Sequence, residues 1–145
     1  MAEKMSWKEC IDKGIISKAL PDEGRALQMM KMACLRLEFW SRKIESKFVA
    51  LKVEAYYDII KELVFAHMYK NGFNCTNHLC MIAYLKEKFK DFDFEVEKID
   101  ELRKVRNEIN YRGFFVQEDY LGRNELEFQG IIENLIGFLK SSLFL

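Results

Sequence analysis

The side chains best suited to chemistry lie together between Glu101 and Gly113, in the run ELRKVRNEINYRG. Arg106 and Asn107 are adjacent, Tyr111 follows the arginine by five positions, and Arg103, Lys104 and Arg112 add three more cations. A guanidinium fork matches the geometry of a phosphate group, and a tyrosine offers both a hydroxyl donor and a ring on which a base can stack. At about 100° per residue, Arg106 stands about 40° from Leu102, at the edge of the apolar stripe of its helix. A cation at that edge needs a partner. Two partners fit: a bound phosphate, or a carboxylate of the bundle such as Glu54, Asp58 or Glu62.

A second cluster, Cys75, His78 and Cys80, has a C-x2-H-x-C spacing that supplies three potential metal ligands. A closed zinc site needs a fourth, and His67, Cys34 and Cys10 stand at no recognisable spacing from it. The expectation is therefore a helix start with no metal and no cofactor. The four cysteines, without a CxxC pair, read as small residues of an apolar interior.

The elements that must position these groups are helical. A short arm over residues 1–20, helical from about Trp7 to Lys13, breaks at Gly14 and ends before Pro21. Asp22 can cap a helix reaching about Arg42, with Leu27, Met30, Ala33, Cys34, Leu37 and Trp40 at steps of three and four. The next runs from about Ser46 to Tyr69 and stops at Asn71-Gly72, residues that tolerate a left-handed backbone. A helix over about Thr76–Lys90 follows. The motif helix opens near Asp91 or Asp93, with Glu95 and Glu97 where the helix dipole favours negative charge, and ends at Gly113. A last helix spans Asp119 to about Ser142. No strand is expected. The fold class is all-α, an up-and-down bundle of four to five helices over residues 21–145 with the arm in front, in a single domain.

Composition narrows the partners. The chain has 145 residues, half of them hydrophobic and 32% charged, with a net charge of zero and a single proline. A neutral chain has no global pull on nucleic acid, so any such contact needs a local basic patch. No apolar run approaches the roughly 20 residues needed to span a bilayer, and MAEKMSWKEC lacks a signal-peptide core, so a cytoplasmic protein without membrane contact is expected.

Several segments together resemble the HEPN superfamily, helical domains named for higher eukaryotes and prokaryotes nucleotide-binding, in a prokaryotic, notably archaeal, branch. The resemblance in the order of elements extends over nearly the whole chain, and the segments include WKECIDKGIISKALPDEGRA, AYYDIIKELVFAHMYKNG, CTNHLCMIAYL and LRKVRNEINYRG. The last resembles the signature region, an arginine, often followed by asparagine, with histidine four to six residues on. The resemblance implies that Arg106 and Asn107 stand at the motif arginine and asparagine. It also implies a cleft between two protomers and, in active members, metal-independent RNA cleavage that leaves a cyclic phosphate. Tyr111 occupies the histidine position. Histidine exchanges a proton near pH 6.5 and tyrosine only near 10, so cleavage is not expected here.

Three functions follow from the resemblance. One is an RNA- or nucleotide-binding protein of a toxin–antitoxin or defence system, using Arg103, Lys104, Arg106 and Arg112 on phosphate. Another is an active RNase toxin with Arg106, Asn107 and Tyr111 at its catalytic centre. The third is a regulatory partner of a minimal nucleotidyltransferase, with Tyr111 as AMP acceptor. A homodimer is expected in each, and the aromatic pairs Tyr56-Tyr57 and Phe114-Phe115 are its candidate contact surface.

Overall fold

Local capping chemistry sets where most of the helices begin and end. In the computed structural model, which describes residues 4–142, Ser6 caps α1 (Trp7–Asp12). Its hydroxyl accepts from the Glu9 amide while the Glu9 carboxylate reaches back to the Ser6 amide, a reciprocal capping box. The Asp22 carboxylate caps α2 (Glu23–Trp40) by accepting from the Arg25 amide at 2.9 Å. The Asn77 side chain does the same for α4 (His78–Lys88), accepting from the Cys80 amide at 2.8 Å. A single 3-10 turn, Ser46–Phe48, leads into α3 (Val49–Lys70). The motif helix α5 (Asp93–Arg112) ends on Gly113, whose φ of 63° lies in the left-handed region that glycine enters without strain. The last helix, α6, covers Glu118–Ser142.

The result is an all-α bundle arranged around α3, which packs against α2, α4, α5 and α6. Neighbours on several sides explain why α3 buries Tyr56 and Tyr57 together, although adjacent residues point about 100° apart. Expected as surface aromatics, both are fully buried. Phe114 and Phe115, in contrast, are exposed.

Two further features depart from the sequence expectation. A two-stranded antiparallel sheet joins β1 (Ile16–Lys18) to β2 (Phe73–Cys75), with Ile16 opposite Cys75 and Lys18 opposite Phe73. Strands of three residues are too short to show a period-two pattern, so only the pairing reveals them. The second feature is a disulfide. Cys10 and Cys80, read as separate core thiols, are joined across 70 residues and tie α1 to α4. The arm is thereby built into the fold by a strand and a covalent bond. Gly72 seals the same junction: with φ of 80°, it would place a Cβ 2.7 Å from the Ala19 carbonyl oxygen. No helix among the described residues is long and apolar enough to cross a membrane.

Candidate functional site around Arg106

The helical repeat divides the six candidate residues into two faces of α5. Arg103 and Arg106 turn inward, whereas Lys104, Tyr111 and Arg112 are exposed and Asn107 is half-buried between them. Arg103, expected at a phosphate surface, is only 4% exposed, and its Nε donates to Asp100 Oδ1 at 2.9 Å. Asp100 is buried as well, so the two neutralise each other one helical turn apart. The physical reason is position: residues 99, 102 and 103 share the side of α5 that faces the core.

Arg106 is held nearly as firmly. Its side chain is 17% exposed and lies 3.6 Å from Asp58 Oδ1, with the guanidinium 5.7 Å from the centre of the Tyr57 ring. With the Asn110 amide turned so that its oxygen accepts from Arg106 Nε at 3.0 Å, the amide nitrogen donates to Glu54. Two of the three carboxylates anticipated as partners thus serve the arginine, one directly and one through Asn110. The third, Glu62, is engaged by Arg36 of α2. The three carboxylates line a cleft of about 380 Å³ together with Arg36, Trp40 and Lys61, and Arg106 reaches it only through its pair with Asp58. Its cations, Arg36 and Lys61, are each paired with a carboxylate, Glu62 and Asp58 respectively.

Tyr111 does not meet Arg106. Five residues correspond to about 140° around a helix, and the tyrosine is 78% exposed on the outer face. Arg112 lies 3.7 Å from Glu108, on a side chain that stays largely in solvent.

The histidine nearest in contact to the Arg106 group is His78, which the sequence singled out only as a potential metal ligand. His78, the first residue of α4, bonds through Nδ1 to the Tyr57 hydroxyl at 2.9 Å, and Tyr57 lies under Arg106. Burial lowers the pKa of His78, with Lys61 and Arg106 adding to the effect. Burial likewise raises that of Tyr57, so both partners of this bond are neutral. Only tertiary packing brings His78 here, because 28 positions separate it from Arg106 in the chain. The C-x2-H-x-C cluster does not assemble. Cys80 is in the disulfide, His78 is on Tyr57, and the Cys75 thiol donates to the Asn77 carbonyl at 3.1 Å. Among the described residues no three His, Cys, Asp or Glu side chains converge to hold a metal.

A scan against family models and searches of curated proteins and of solved structures find no match to this chain.

Proposed function

We propose that the chain is a homodimeric HEPN-type protein of a toxin–antitoxin or defence system that binds RNA or a nucleotide without cleaving it. The single observation that carries this reading is the separation of Arg106 from Tyr111. The motif arginine is neutralised at the edge of the core, and the residue at the histidine position lies on the outer face of the same helix. Cleavage needs a phosphate-stabilising cation and a proton-transfer group around one phosphate. Binding needs only donors and a ring, and Lys104, Tyr111 and Arg112 offer both on one exposed surface.

The test is a labelled single-stranded RNA incubated with the protein in EDTA. Wild type should bind it intact, and Lys104→Ala combined with Arg112→Ala should weaken binding about tenfold, the loss expected for a charge-assisted contact of about 1.5 kcal/mol. Cleavage by wild type that Tyr111→Phe abolishes would refute the proposal.

The exposure of Tyr111 favours a second reading, that of a regulatory partner whose tyrosine accepts AMP from a minimal nucleotidyltransferase. Attack of the hydroxyl oxygen on the α-phosphate of ATP would form the phosphodiester and release pyrophosphate. Mass spectrometry after incubation with ATP and a nucleotidyltransferase encoded next to this chain distinguishes the two: adenylylation confined to Tyr111 supports the second.

A further inference from the structure

The C-terminal end of α3 borders a different kind of cleft, of about 440 Å³, assembled from elements that are remote in sequence. Lys70 and Asn71 come from the end of α3, Phe73 from β2, and Lys88 and Phe89 from the end of α4. Its lining contains no aspartate or glutamate among the described residues. Neither lysine forms an ion pair among those residues, and Lys88 Nζ instead lies 5.1 Å from the Trp7 ring and 5.3 Å from the Phe73 ring.

Between the lysines sits a neutral polar set. The Tyr84 hydroxyl and His67 Nδ1 share a hydrogen bond of 2.8 Å, and the Asn71 side chain lies 3.1 Å from the same nitrogen while donating to the His67 carbonyl at 3.0 Å. These bonds fix the imidazole against the wall, where Phe89 packs on it at 4.8 Å between centroids. Two unpaired cations, aromatic walls and a few convergent hydrogen-bonding groups in a cleft of this size suit a small, flat, anionic ligand.

We propose that this cleft binds a mononucleotide, with its base against Phe73 and Phe89 and its phosphate between Lys70 and Lys88. A phosphate monoester carries nearly two negative charges at neutral pH, which two lysines match, and the volume accommodates one base rather than a stacked run. This site lies apart from the Arg106 region and uses none of the residues assigned to RNA above.

Isothermal titration of the full-length protein with AMP, adenosine and inorganic phosphate tests it. AMP should bind at least about tenfold more tightly than adenosine or phosphate alone. Lys70→Ala and Lys88→Ala should each weaken AMP about tenfold and leave RNA binding on α5 unchanged. Phosphate binding as tightly as AMP would overturn base recognition. AMP affinity untouched by both lysine variants but lost in Arg106→Ala would move the ligand to α5 and overturn the site. An absence of heat with AMP at millimolar concentration would overturn it too. An RNA bearing a 5′-phosphate that competes with AMP, where one lacking the phosphate does not, would make the nucleotide the end of a strand and overturn the free ligand.

Discussion

Two clefts along one helix carry comparable numbers of cations and differ in what those cations face. Midway along α3, Arg36 and Lys61 stand against Glu54, Asp58 and Glu62, and Asp58 also pairs with Arg106 outside the cleft lining. At its C-terminal end Lys70 and Lys88 stand against aromatic rings and neutral donors. The first arrangement ties α2 and α5 to α3 and leaves little field for an anion. The second leaves its charge unspent. A count of basic residues in a motif therefore says less about anion binding than a count of the carboxylates that packing delivers to them.

The sharpest way to break this contrast is to remove a carboxylate where charges are matched. Asp100→Ala removes the buried carboxylate that accepts from Arg103 Nε and should destabilise the fold by about 3 kcal/mol, as measured by urea denaturation. A loss below about 1 kcal/mol would mean that the pair is not the internal tie described here.

The second cleft should reveal itself through pH. Burial, with Lys70 and Lys88 adding to it, lowers the His67 pKa from 6.5 to about 4. The unfolded chain therefore takes up a proton near pH 6.5 that the native state refuses until about pH 4, and stability present above 6.5 is lost as pH falls through that window. The full difference amounts to as much as about 3 kcal/mol. His67→Gln should flatten the slope of denaturation midpoint against pH between 6.5 and 4, and an unchanged slope would contradict the buried, neutral imidazole.

A smaller effect tests whether Asp58 holds Arg106 away from phosphate. Arg106→Ala should cost roughly 1 kcal/mol of stability, since its pair is only partly buried. Asp58→Asn should raise RNA affinity several-fold by freeing the guanidinium. Reduced affinity in Asp58→Asn would show that the carboxylate organises the site. The smallest effect is expected at the open cleft: Lys88→Ala should change stability by less than about 0.5 kcal/mol, as measured by thermal melting. A protein that loses more stability with its matched cations than with its unmatched ones would have the two regions correctly assigned.

The helices, the Asp22 cap and the stops at Gly72 and Gly113 were all legible in the sequence, because each rests on signals within a few residues. The edge position of Arg106 was legible too, and so were its possible partners, although the choice among Glu54, Asp58 and Glu62 was not. What escaped was long-range. The β1–β2 pairing, the Cys10–Cys80 bond and the approach of His78 to Tyr57 connect residues separated by 21 to 70 positions, and no local pattern encodes them. Arg103 was misplaced for a related reason. A basic residue beside Lys104 resembles a solvated patch until Asp100, one turn earlier, is seen to share its burial.

The Cys10–Cys80 bond also has a mechanical consequence. It closes a ring that contains all of α2 and α3. A chain pulled by its two ends can pay out only the segments outside that ring, roughly half of its full contour at about 3.5 Å per residue. Force would peel α5 and α6 away while α2 and α3 stayed slack inside the loop. Under reducing conditions the same pull would reach them.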